Sequence, residues 1–224
     1  MSKKRLLELF CGTKSVGNVF SNDGYEVISL DYNPKFEATH IEDFLTWDYK
    51  QYPNDYFDVV WASPDCSTWS LATGGKYRKK THIYGLNNQY QEQATFANNM
   101  ILRLIEILKY FKADYFIENP RGLLYHFPQL KDFVSENNVN NTLVYYSNYN
   151  DWGFHKPTHI WSNLPLWDKE VKPEMSVDKY YFHTRKCDGV VARMYYAYSN
   201  VKKRSETRSK IPPDLIKRLK DLIK

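Results

Sequence analysis

The stretch Ala62-Ser63-Pro64-Asp65-Cys66-Ser67-Thr68-Trp69-Ser70 sets one cysteine behind a proline and ahead of small hydroxyl residues, directly after the apolar run Phe57-Asp58-Val59-Val60-Trp61. A thiol on a loop at the carboxyl end of a buried strand stands where open α/β sheets hold their ligands. The pattern reads as a nucleophile that bonds covalently to its substrate. Asp65 bears on that reading, because a carboxylate beside a thiol raises its pKa unless it points away. A second reactive group, Glu118, opens Glu118-Asn119-Pro120 after the short apolar run Tyr115-Phe116-Ile117. At a strand end it serves either as an acid facing a substrate or as the cap of the following turn.

These groups need elements to hold them. Hydrophobic periodicity predicts strands at Leu6–Phe10, Tyr25–Leu30, Thr39–Ile41, Phe57–Ala62, Tyr115–Ile117, Asn141–Tyr146 and His159–Ser162, and helices over 15–22, 91–111 and 212–224. Strand and helix alternating at these intervals imply an α/β fold, a doubly wound and mostly parallel sheet. Residues 1–163 are expected to form the core, 164–207 a short inserted segment without helical or strand period, and 208–224 a terminal helix returning to the core. With 224 residues, 42% hydrophobic and 25% charged, the chain buries one core with at most a small appendage.

Composition also narrows the setting. No apolar stretch approaches a membrane span, and the basic start Met1-Ser2-Lys3-Lys4-Arg5 runs into Leu6-Leu7-Glu8-Leu9-Phe10, too short and too acidic for a signal-peptide core. A soluble intracellular protein with reduced thiols is expected. Three widely spaced cysteines, Cys11, Cys66 and Cys187, form neither a disulfide framework nor a paired zinc motif, so no metal is expected. Cys11 lies in an apolar strand end and reads as buried and inert.

The turn Phe10-Cys11-Gly12-Thr13-Lys14-Ser15 joins the first strand to a helix start, a geometry whose backbone N–H groups and close-approaching glycine hold a nucleotide-like ligand. Asp31, about 20 residues beyond the first turn, is placed to accept ribose hydroxyls, or else serves the turn ahead of Asn33-Pro34. Asp43 is either an adenine-amino contact or a solvated loop acid. Charge is uneven: residues 184–224 hold 12 Lys+Arg against 4 Asp+Glu, the first 183 hold 19 against 22. With Tyr180-Tyr181-Phe182 and Tyr195-Tyr196 nearby, that end reads as a nucleic-acid surface or as a solvated basic helix.

Phe10-Cys11-Gly12, Asp31, Pro64-Asp65-Cys66 and Glu118-Asn119-Pro120, in that order, resemble the cytosine-5 DNA methyltransferases over roughly residues 5–163; Arg208-Ser209-Lys210-Ile211-Pro212-Pro213 is similar to the family's final motif. The resemblance implies a Rossmann-like fold binding S-adenosylmethionine through Phe10, Gly12, Thr13, Asp31, Asp43 and Pro64. It implies Cys66 as nucleophile, Glu118 as the acid on the base, and Asn119 as the residue orienting the Cys66 loop. It further implies DNA, with RNA also possible, as the partner, a base flipped from the stack, and contacts from Ser70, Lys156, His159, Arg185, Lys186 and Arg193. The loop Leu71-Ala72-Thr73-Gly74-Gly75-Lys76 has glycines that allow it to move over the base. Three departures stand out: Asp65 replaces a second proline, Lys14 replaces a glycine, and the family's arginine motif is met only by Gly153-Phe154-His155-Lys156-Pro157-Thr158-His159, where Lys156 or His159 would substitute. The short 164–207 segment implies low or short sequence specificity, or help from a partner.

Overall fold

The computed structural model describes residues 3–73, 75–86, 88–149, 156–171, 180–187, 190–197 and 210–223. In chain order the main elements are β1 (Arg5–Leu9), α1 (Ser15–Asn22), β2 (Glu26–Asp31), β3 (His40–Ile41), β4 (Val59–Ala62), α2 (Asn88–Tyr110), β5 (Asp114–Pro120), α3 (Pro128–Glu136), β6 (Asn140–Tyr145), β7 (Pro157–Ser162), β8 (Tyr180–Cys187), β9 (Val190–Ala197) and α4 (Pro213–Lys220). Seven strands form one sheet in the order β3-β2-β1-β4-β5-β7-β6. The pairings from β3 through β5 are parallel. β7 runs antiparallel to both β5 and β6.

The central strands carry apolar residues on both faces, which is why the sheet is wound on both sides. Leu7, Val60, Ala62 and Ile117 turn to one face, where Ile101, Leu104 and Leu108 of α2 and Leu130 and Phe133 of α3 cover them. Leu6, Val59, Trp61 and Phe116 turn to the other, against Val16 and Phe20 of α1 and Leu215, Ile216 and Leu219 of α4. The amide of Ile211 also donates to Ser15 Oγ at 3.3 Å, so the chain end is tied to the start of α1.

The doubly wound α/β expectation is met, and two elements go beyond it. α3 has only Leu130 and Phe133 fully buried, too few to announce a helical period, although Pro128 occupies its first turn. Within the segment expected to lack period, β8 and β9 pair as a two-stranded antiparallel ribbon separate from the main sheet. A ribbon outside the seven-stranded sheet has no core face to impose alternation. Its one sequence signal is Asp188-Gly189, a dipeptide that favours tight hairpins.

Among the described residues no helix is long and apolar enough to cross a membrane. None of their His, Cys, Asp and Glu side chains gather in threes as a metal site requires. Truncating Leu219 to alanine should cost about 2–5 kcal/mol, because its fully buried side chain joins α4 to α1. Urea denaturation measures the loss.

Candidate active site

The parallel pairing of β1, β4 and β5 brings three loops to one edge of the sheet. After β1 the chain turns sharply, with positive φ at Phe10 (59°), Gly12 (47°) and Lys14 (55°). The Gly12 amide donates to Asp31 Oδ2 at 3.0 Å and the Asn33 amide to Asp31 Oδ1 at 2.9 Å. Asp31 therefore locks the first turn against the end of β2, and each oxygen keeps lone-pair capacity for a ligand hydroxyl. Phe10 packs on Phe44, ring centroids 4.4 Å apart. Tyr32, next to Asp31 and 78% exposed, is an aromatic platform on the same edge that sequence reasoning missed. Asp43 is exposed and caps a turn, accepting the Leu45 amide at 2.9 Å through Oδ1. Thr13 is half-buried beside the turn.

Behind this turn lies a buried carboxyl group that belongs to no motif. Glu8 is buried in β1, and burial pushes its carboxyl up to about 8, against the opposing amides of Gly17 and Val16. A Cβ on Gly17 would come within 2.5 Å of Glu8 Oε2, so the glycine makes room for the acid. Cys11 is buried too, and burial raises its thiol to about 12, in keeping with an inert packing role.

The Cys66 loop is a compact turn. The Trp69 and Ser70 amides donate to the Cys66 carbonyl at 3.1 and 2.8 Å. Asp65 accepts the Ser67 amide at 3.0 Å through one oxygen and the Ser67 hydroxyl through the other, so its carboxylate is turned onto Ser67. Asn119, wholly buried, donates from Nδ2 to the Pro64 carbonyl at 3.0 Å, tying the end of β5 to this loop. Ser70 bridges to Gly122, and the Leu123 amide donates to the Trp69 carbonyl at 2.8 Å. A Cβ on Gly122 would stand 2.4 Å from that carbonyl oxygen, so only glycine permits the approach.

Glu118 is buried at the end of β5, and its Oε1 accepts the Tyr146 hydroxyl at 2.8 Å and Lys156 Nζ at 3.2 Å. The Lys156 ammonium also sits 4.7 Å from the Tyr146 ring centroid. Burial pushes the Cys66 thiol up to about 11; Lys156 is the largest opposing influence, and Glu118 and Asp65 add to the rise. Cys66, Glu118 and Lys156 thus form one electrostatic unit. His159 does not join it: Nδ1 faces Asn141 Oδ1 at 3.1 Å, the ring stacks on Tyr125 at 4.9 Å, and burial holds its pKa down to about 4. Of the two residues expected to stand in for the arginine motif, Lys156 lies against Glu118 and His159 does not. Residues 150–155, 172–179, 188–189 and 198–209 lie outside the described residues, and with them the first three residues of that motif, Gly153, Phe154 and His155, and Arg208. Arg185, Lys186 and Arg193 pair with Ala192, Val191 and Thr184 in the ribbon, and β9 approaches the short turn Leu71–Thr73 behind the Cys66 loop.

Tyr146 and Arg78 also contact the candidate site, and sequence reasoning missed both. Arg78 is fully buried, and its guanidinium lies 3.4 Å from the Trp69 ring centroid. It donates to Thr68 Oγ1 (2.9 Å), Asn98 Oδ1 (2.8 Å), and the carbonyls of Ala94 (3.0 Å) and Ile83 (2.7 Å). One fork thereby joins the Cys66 turn, the start of α2 and the loop between them. Gly74 of the loop expected to move over the base lies outside the described residues.

Three outcomes follow from this geometry. Arg78→Met should cost at least about 2 kcal/mol in urea denaturation, since it strands several buried acceptors. Lys156→Gln should shift the pH profile of Cys66 alkylation by iodoacetamide to higher pH, because the cation opposing the rise is gone. Glu8 favours the protonated state on folding, so its contribution to stability declines from about pH 4.5 toward pH 8. Glu8→Gln should flatten that decline in melting temperatures measured across the same range.

No family model matches the chain. A probable DNA (cytosine-5)-methyltransferase of Frog virus 3 (isolate Goorha) is 30% identical over 169 residues, 71% of this chain and 71% of that protein. The structure of the Entamoeba histolytica methyltransferase EhMeth superposes with a TM-score of 0.53 at 12% identity, over 79% of this chain and 58% of that one. The S. pombe Dnmt2 methyltransferase gives 0.49 at 14% identity, over 80% and 53%. The chain thus spans little more than half the length of these two solved structures, and the first of them shares its fold. With identity of this degree sustained over more than two thirds of both chains, the protein belongs to the DNA (cytosine-5)-methyltransferase family.

Proposed function

We propose that the protein transfers a methyl group to carbon 5 of cytosine in DNA through a covalent Cys66 adduct on a base flipped from the helix. The observation that carries this reading is the coupling of Cys66 to the Glu118–Lys156–Tyr146 cluster through the Asn119–Pro64 bond. Tyr146 and Lys156 both bond Oε1, which orients the Glu118 carboxyl group. Its other oxygen then faces ring nitrogen 3 of cytosine through a shared proton and accepts from the exocyclic amine, a pairing that selects this base.

The residues of the first turn fit S-adenosylmethionine. Gly12 and Asp31 offer the close backbone approach and the ribose acceptor, and a cleft of about 360 Å³ between the Pro64–Thr68 loop and Phe96, Ala97, Met100 and Ile101 of α2 offers an apolar wall suited to adenine. When bound there, it supplies the methyl group that carbon 5 takes up. Cys66 Sγ adds at carbon 6 as its proton passes to solvent water, and the electron pair of the 5,6 double bond shifts to carbon 5. Once carbon 5 carries the methyl group its proton passes to solvent water, the electron pair left behind re-forms the 5,6 double bond as the sulfur–carbon bond breaks with its electrons on sulfur, and the thiolate so released takes a proton from solvent. A resting thiol near 11 is mostly protonated at neutral pH, so ionisation accompanies addition and Lys156 is the cation that favours it.

Incubation with S-adenosylmethionine and a DNA oligonucleotide containing 5-fluorocytosine should trap a covalent complex, visible by intact-mass spectrometry and absent with Cys66→Ser. Glu118→Gln should slow trapping by about 10²–10³-fold. Cofactor binding without any adduct on DNA would sink the reading, and methyl transfer confined to a matched RNA would reassign the substrate.

A further inference from the structure

Three of the six expected nucleic-acid contacts, Arg185, Lys186 and Arg193, lie in the carboxyl-terminal ribbon, and the core holds a basic surface of its own. Residues 75–86 and 121–131 contain no Asp or Glu. The fold brings these two stretches together. Tyr84 donates its hydroxyl to Gln129 Oε1 at 3.2 Å, and its ring meets Phe127. Lys80 of one stretch and Lys131 of the other both bear electrostatically on His126, and Arg121 bears on the neighbouring His159. Lys80, Arg121 and Lys131 are exposed, and among the described residues no carboxylate pairs with them. Tyr84 and Tyr125 stand 48% and 45% exposed within the same patch.

Like charges gathered without counterions repel one another, a cost that a polyanion relieves. The place is as telling as the charge. The 121–131 stretch begins directly after Glu118-Asn119-Pro120 and bridges to Ser70 of the nucleophile loop, on the β5 side of Cys66 and away from the Asp31 turn. Arg78, anchored inside, holds the other stretch in place from beneath. Phosphates flanking a base inserted between Cys66 and Glu118 would pass over this surface.

We propose that the surface of Lys80, Tyr84, Arg121, Tyr125, His126 and Lys131 binds the sugar–phosphate backbone of DNA beside the flipped cytosine. It supplies from the core the grip that the short 164–207 segment is too small to provide alone. This rests on the reading of the protein as a DNA methyltransferase, and the test separates the two.

The Lys80→Gln/Arg121→Gln/Lys131→Gln variant is compared with Lys50→Gln/Lys109→Gln/Lys112→Gln, which removes equal charge around the opposite edge of the sheet. Anisotropy with a fluorescein-labelled mixed-sequence DNA duplex across a salt series is the readout. The first variant should lose about tenfold or more in affinity, and its log K against log salt slope should become shallower by about 2 to 3, near 0.9 for each phosphate contact removed. The control variant should match the wild type. In methyl-transfer assays KM for DNA should rise with kcat unchanged. Equal affinities for the two variants, or a loss seen only with an RNA duplex, overturns the proposal. DNA binding lost in the first variant while the wild type transfers no methyl group leaves the surface standing and removes the enzymatic reading instead.

Discussion

The buried hydrogen bond from Asn119 Nδ2 to the Pro64 carbonyl is the constraint on which the site depends. β4 and β5 are adjacent parallel strands, so pairing alone sets their ends side by side without fixing the loops beyond. The Asn119 bond does that. It holds the residue after Glu118 to the residue two before Cys66, in a place from which water is excluded, where loss of either partner leaves an unsatisfied polar group. Groups that act together on one substrate need relative placement within a fraction of an ångström. Here the placement derives from a strand pairing that the whole core supports.

Around this bond the sheet edge divides into two halves. The β1–β2 half, with its Gly12 turn locked by Asp31, presents backbone amides, a carboxylate and aromatic rings. The β5–β7 half presents Glu118, Lys156 and Tyr146, with a basic exterior beyond. Cys66 stands at the seam between them. The antiparallel β7 makes this division possible, because its reversed direction returns the chain to the edge at Lys156, where a parallel strand would have started from the far side.

Most of the sheet was legible in the sequence, because strands buried on both faces leave unbroken apolar runs such as Val59-Val60-Trp61. The Cys66 and Glu118-Asn119 positions were legible for the same reason: each follows such a run. Tyr146 was not, since a tyrosine at the end of β6 looks like one more core aromatic until its hydroxyl is seen on Glu118. Arg78 sits in a stretch of four cations whose sequence gives no hint that one of them is fully buried. His159 misled because spacing from a motif does not report which face of β7 a side chain takes. Strand alternation puts it with Trp161 and Tyr125, away from Glu118.

Asp65 shows how a departure from the family pattern is absorbed. A second proline before the nucleophile would stiffen the turn by fixing its backbone angle. Asp65 stiffens it through two hydrogen bonds to Ser67, an arrangement typical of turns opened by aspartate. The exchange has an electrostatic cost, because a carboxylate next to Cys66 raises the thiol's pKa. Engagement with Ser67 turns that charge onto local donors. Lys156, on the opposite side, is the group whose influence on the thiol runs the other way, and it exceeds that of Asp65. The two departures are therefore best understood together: the carboxylate beside Cys66 raises the thiol's pKa, and the Lys156 ammonium opposes that rise.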